Sequence, residues 1–76
     1  MKALVAYIAA SLVDDPSAVQ VRETGSPRDT VIELRVGPDD LGKVIGREGR
    51  TARAIRALMA ASGRKLRRSF TLEIVE

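Results

Sequence analysis

The spacing of apolar side chains along these 76 residues switches between a helical period and a strand period, and the order of the switches restricts the fold more than any other feature. Leu4, Ile8 and Leu12 recur at i, i+4 and i+8 with Val5 beside them, in an Ala-rich stretch that predicts an amphipathic helix over 3–13. Asp15-Pro16 ends it, because proline pushes the preceding residue out of the helical region. Residues 18–24 and 30–36 alternate with period two, Val19 and Val21 sharing one face and Ile32, Leu34 and Val36 another, which predicts two half-buried strands. Gly25-Ser26-Pro27-Arg28-Asp29 between them is a turn cluster of hairpin length. Pro38-Asp39-Asp40 is a helix-start signal, and Leu41, Val44 and Ile45 carry that short helix until Gly46 and Gly49 interrupt it. A further helix is expected from Arg50 to Ser62, with Ile55, Leu58 and Met59 on the inner face, Arg50, Arg53 and Arg56 on the far side, and Gly63 as C-cap. Phe70, Leu72 and Ile74 alternate with Thr71 and Glu73 as a third strand. Helix, strand, strand, helix, helix, strand predicts one α+β domain over 1–76, a three-stranded sheet covered by helices.

A chain of this size exposes much of its surface even when folded, and without cysteine neither a disulfide nor a thiolate metal site can staple it. Association with a partner is the remaining support, so an oligomer is expected. The absence of both His and Cys also removes the ordinary nucleophile and base pair and the zinc constellations. Asp14-Asp15 and Asp39-Asp40 sit at helix boundaries, where capping and turn chemistry account for them, so neither pair is read as a metal or acid-base site. The expectation is a protein that is not an enzyme and needs no cofactor or metal. Met1-Lys2 and the apolar stretch after it make a poor signal peptide, with one basic residue and Asp14-Asp15 where a cleavage site should lie. No stretch reaches the roughly 20 apolar residues of a membrane span, so a cytoplasmic location is expected.

Charge is distributed unevenly. Residues 1–41 carry a net −3, whereas residues 42–68 hold nine basic side chains against Glu48 alone, a net +8 in one contiguous third of the chain. Such a block is the electrostatic footprint expected of a phosphate-binding surface. At its start lies Leu41-Gly42-Lys43-Val44-Ile45-Gly46-Arg47-Glu48-Gly49-Arg50. Two glycines three apart between two helices make a turn that a ligand can approach closely, at a helix end that presents free N–H groups. Lys43, Arg47 and Arg50 surround it with cations, an arrangement suited to a phosphodiester backbone. A P-loop is excluded, because the longer glycine loop ending in Lys-Ser/Thr is missing and no strand directly precedes the turn.

Val44-Ile45-Gly46-Arg47-Glu48-Gly49-Arg50 resembles the I-G-x-x-G signature of KH domains, and the element order resembles their type II arrangement over essentially the whole chain. The Asp-Pro stop, the Val-x-Val strand, the Pro-Asp-Asp-Leu-Gly-Lys entry and the short length look like the stand-alone bacterial KH-domain RNA-binding proteins of the KhpA type. The resemblance implies a homodimer, association with a larger KH-containing protein of the Jag type, and a role as a post-transcriptional regulator or RNA chaperone. Carried over residue by residue, it places a clamp for about four nucleotides of single-stranded RNA on Gly46, Arg47, Glu48 and Gly49. Lys43, Arg50 and Arg53 are the expected supporting cations, with Val44, Leu41 and Val36 as groove candidates and Ile45 as core support for the loop. Glu48 departs from the most basic forms of the loop.

Tyr7 and Phe70 are the only aromatic residues, which excludes a stacking platform of the RRM or OB kind. Phe70 is read as core; Tyr7 is read either as a half-exposed packing residue or as a subunit contact. Arg64-Lys65-Leu66-Arg67-Arg68, bridging the last helix and strand, either extends the phosphate track or guards the hydrophobic edge strand that follows against aggregation, and a secondary electrostatic role is favoured. The competing reading is a protein-protein scaffold or adaptor, built on Ala-rich helix faces, whose RNA contact is secondary.

Overall fold

The computed structural model describes residues 1–75. Its regular elements are α1 (Lys2–Leu12), β1 (Gln20–Gly25), β2 (Asp29–Arg35), α2 (Leu41–Ile45), α3 (Arg50–Leu66) and β3 (Ser69–Val75), with single 3-10 turns at Pro16–Ala18, Pro38–Asp40 and Arg47–Gly49. The three strands form one mixed sheet in the order β1-β2-β3. β1 runs antiparallel to β2, from the Gln20–Arg35 pair to the Gly25–Thr30 pair, and β2 runs parallel to β3, from Asp29–Ser69 to Arg35–Val75. A parallel pair cannot be joined by a hairpin, so α2 and α3 form the crossover that carries the chain from β2 back to the start of β3.

The alternation expected of the central strand is realised: Thr30, Ile32 and Leu34 are buried, Val31 and Glu33 half-buried. Ile32 and Leu34 meet Val5, Ala9 and Val13 from the first helix, Val44 from α2, Ile55 and Met59 from α3, and Leu72 from β3. Each large side chain fully withdrawn from water contributes about 1.5–3 kcal/mol. The opposite sheet face carries Arg22, Glu33, Arg35 and Glu73, with Arg22 and Glu33 paired directly across the strands at 2.9 Å.

Four expectations are corrected. In α1, Val5 and Ala9 face the sheet, while Leu4 and Leu12 are exposed and Ile8 is half-buried. The two stripes are adjacent on the helix, and the one carrying the small Ala9 permits the closer approach to the strands. Leu58 is exposed; the inner face of α3 is Ala52, Ile55, Met59 and Gly63. Gly63 is not the C-cap. A Cβ there would collide with the Arg68 carbonyl and stand 3.3 Å from the Phe70 ring, so its hydrogen lets β3 enter across the helix backbone. The helix continues to Leu66, and Arg67 takes the left-handed cap at φ 55°, with the Arg68 N–H donating back to the Gly63 carbonyl at 2.9 Å. Finally, Asp40 is buried and does not cap its own helix: its carboxylate accepts the backbone N–H groups of Asp14 at 3.2 Å and Asp15 at 3.1 Å, tying the exit of α1 to the entry of α2.

Candidate nucleic-acid interface

The loop expected from the glycine spacing is built by two opposed constraints, the end of α2 and the start of α3. Gly46 closes α2 by donating its N–H to the Gly42 carbonyl at 2.8 Å, then turns at φ 77°, ψ 171°, a region essentially restricted to glycine. Its missing side chain is also a packing requirement, since a Cβ would overlap the Thr51 hydroxyl and lie 2.7 Å from Thr51 Cβ and 2.8 Å from Thr51 N. Glu48 (φ 55°, ψ 26°) and Gly49 (φ 73°, ψ 14°) are both left-handed, and the second aims the chain into α3. Thr51 therefore packs beneath the turn and leaves Arg47 and Glu48 exposed on top.

The amides of Gly46 and Gly49 donate inward, to Gly42 O and to Gly46 O at 3.1 Å, and that of Arg50 donates to the Arg47 carbonyl, so the turn is closed from beneath while Arg47 and Glu48 stand exposed. α3 begins with no side-chain cap and no acidic residue in its first turn, so the positive end of a 17-residue helix is uncompensated there. Arg47 and Arg53 are exposed and form no ion pair among the described residues. Arg50 reaches Glu48 at 3.5 Å with both side chains about 70% exposed, a contact weak enough to exchange for a phosphate.

Beside the loop lies a shallow depression of about 310 Å³, bounded by Ile45, Glu48, Gly49, Ala52, Arg53, Arg56 and Ile74. Its rim carries Arg53 and Arg56 together with the Glu48 carboxylate, and Arg56 also donates to the Leu72 carbonyl of β3 at 3.4 Å. This reverses two assignments made from the sequence. Val44, expected in the groove, is fully buried in the core, and Ile45, expected beneath the loop, is half-buried at the groove wall. Val36 and Leu41 line a different apolar depression of about 420 Å³ with Arg35, Pro38 and Val75. Arg56 and Ile74 were not among the expected site residues. Arg56 was legible from its place in the Arg50, Arg53, Arg56 row; Ile74 was not, because only the tertiary packing of β3 along α3 brings it there.

Lys43, in the middle of α2, is held by carboxylates, with its ammonium on Asp14 and 3.1 Å from Asp40. The Asp14 and Asp15 backbone N–H groups, together with Lys43, hold the Asp40 carboxyl below its ordinary value, and the two carboxylates raise the Lys43 ammonium above its own. Its charge is engaged by these two carboxylates, leaving Arg47 and Arg53 without an ion pair among the described residues and Arg50 in its weak contact with Glu48 as the cations of the turn.

A family model described as KhpA/KhpB, KH domain, matches residues 2–74. "RNA-binding protein KhpA" of Halalkalibacterium halodurans is 47% identical over 76 residues, covering all of both chains. The proteins of that name from Caldanaerobacter subterraneus and Aquifex aeolicus are each 47% identical, over 99% and 100% of this chain and 100% and 96% of their own. No solved structure matches. With a family model spanning residues 2–74 and relatives of matching length that share nearly half of its residues, the chain belongs to the KhpA/KhpB family of KH domains.

Proposed function

We propose that this domain is an RNA-binding protein that grips short single-stranded RNA through the Gly46–Gly49 turn, with weak sequence preference. The observation that carries the reading is the exposed turn itself. Arg47 and Glu48 stand exposed on a glycine-bracketed turn at a helix mouth without a side-chain cap, flanked by Arg50 and Arg53. Backbone N–H groups and guanidinium groups bind phosphate oxygens irrespective of base, which favours affinity over sequence readout. Bases of the bound strand lie against Ile45, Ala52 and Ile74 in the adjoining depression. Since the chain has only two aromatic residues, with Tyr7 on α1 and Phe70 near the far end of α3, stacking does not contribute at the turn.

Self-association is part of the proposal. Tyr7 is 73% exposed, Leu58 54% and Leu66 58%, apolar surface that a second copy, or a larger KH-containing protein of the Jag type, would cover. The cellular setting proposed is the cytoplasm, in post-transcriptional regulation or RNA chaperoning. Among the described residues, no helix is long and apolar enough to cross a membrane.

The test is fluorescence anisotropy with a labelled 12-nucleotide single-stranded RNA. Replacing Arg47→Asp and Glu48→Asp removes the guanidinium and adds one carboxylate beside the one already at position 48. A charge-assisted hydrogen bond contributes about 1.5–3 kcal/mol, so an affinity loss of about tenfold or more is expected, with the melting temperature little changed. Unchanged affinity in the folded double variant rejects the turn as the phosphate contact and leaves the scaffold reading.

A further inference from the structure

The far end of α3 carries a second concentration of positive charge that the turn does not use. Arg64 and Arg67 from the helix end, Arg68 from the junction and Arg28 from the β1–β2 turn converge on a depression of about 410 Å³, with Phe70 in its floor and Asp29 on its rim. None of the four arginines forms an ion pair among the described residues. Arg68 is fixed in place: its guanidinium donates to the Pro27 carbonyl and, at 2.9 Å, to the Thr30 hydroxyl, and lies 4.7 Å over the Phe70 ring. Arg28, Arg64 and Arg67 are exposed around this fixed charge. We infer that the cluster is a second phosphodiester-binding site, which engages the same RNA strand beyond the nucleotides held at the turn.

Three observations favour this over simple neutralisation of the helix end. Arg64 and Lys65 in the last turn already complement the negative end of the helix dipole, whereas Arg28 arrives from another segment and adds charge to the depression rather than to the helix. Arg67 occupies the left-handed cap at φ 55°, a conformation in which glycine would be unstrained. A strained residue that retains a guanidinium at this position points to a use for the charge. The two ends are also joined by a track. Arg53, Arg56, Ala60, Arg64 and Arg67 recur at i, i+3, i+7, i+11 and i+14, one stripe of the helix, and border the two depressions that flank β3. From Arg50 to Arg67 the helix rises about 25 Å at roughly 1.5 Å per residue. A stacked strand advancing about 3.4 Å per nucleotide covers that distance in roughly seven nucleotides, more than a tetranucleotide can span.

The inference rests on RNA binding at the turn, and it makes affinity depend on strand length. The experiment compares a 4-nucleotide and a 12-nucleotide single-stranded RNA on wild type, Arg64→Gln/Arg67→Gln and Arg67→Gly, each with its melting temperature and salt dependence. The double variant is expected to lose about tenfold on the 12-mer, with the log-log salt slope shallower by about 1.4 for two lost phosphates, and less than about twofold on the 4-mer. Arg67→Gly is expected to melt higher than wild type while binding the 12-mer more weakly, which separates a structural role for Arg67 from a binding one. Equal loss on both lengths, or no loss on the 12-mer, overturns the inference. Competition by polyglutamate as strong as that by RNA of equal charge overturns it too, since the cluster would then serve an acidic protein. If Arg47→Asp/Glu48→Asp keeps full affinity while the Gln variant loses it, the turn reading fails and the shared strand with it, and the cluster is then the primary phosphodiester site rather than a second one.

Discussion

Three glycines of the α2–α3 segment predict a graded response to the same substitution. At Gly46 an alanine meets a backbone region that side chains avoid, at a cost of about 1–3 kcal/mol, and its Cβ would lie 2.8 Å from Thr51 N and 2.7 Å from Thr51 Cβ. Thr51 belongs to the first turn of α3, so the overlap cannot be relieved by a rotamer change alone; the helix start must move. At Gly49 the conformation is also left-handed, φ 73°, but nothing lies within 4 Å of the added carbon, which leaves a backbone cost of about 1–2 kcal/mol. Gly42 lies inside α2 with open space around it, and an alanine there is expected to stabilise by about 0.5–1 kcal/mol. For a domain of this size 1 kcal/mol shifts the melting temperature by about 4–8 °C. Melting followed by circular dichroism should therefore rank Gly42→Ala above wild type, Gly49→Ala below it and Gly46→Ala lowest, by roughly 10 °C or more. Equal losses at Gly46 and Gly49 would refute the claim that Thr51 packs against the first glycine.

Met59 is 1% exposed at the centre of the core, so Met59→Ala should cost about 2–5 kcal/mol and, in so small a domain, leave a partly unfolded population visible in urea titration. Asp40 has its carboxyl held below the ordinary value of 3.8, chiefly by the backbone N–H of Asp14 and by Lys43; the stabilisation is present above that value and lost as pH falls through the lower folded value. Melting temperature between pH 2 and 6 should drop steeply for wild type and more gently for Asp40→Asn, which is less stable at neutral pH; parallel curves would contradict the buried tie. Lys43 works in the opposite direction. Its ammonium is raised above 10.5, so its share is complete below that value and declines as pH climbs past it.

The element order was readable because each segment repeats one period cleanly, and Ile32 and Leu34 could hardly face anywhere but inward. What failed to read through were choices between neighbours. Leu4, Ile8 and Leu12 form as good a helical stripe as Val5, Ala9 and Val13, and only the sheet decides which is covered. Val44 and Ile45 are adjacent apolar residues on a five-residue helix, and their assignments to core and groove came out exchanged. Gly63 satisfies a capping rule from sequence, yet its role depends on where β3 crosses the helix. Charges show the same limit. The basic third of the chain was visible, but the diversion of Lys43 onto Asp14 and the arrival of Arg28 beside Arg64 are long-range events.

The most direct test of the central claim is an amide-resolved NMR titration of the labelled protein with a short single-stranded RNA. The account predicts the largest shifts at the Arg47 and Glu48 N–H groups, with smaller ones at Gly49, Arg50 and along the Ile45–Ile74 depression. Shifts confined to α1 or to the open face of the sheet, with the turn unmoved, would contradict it.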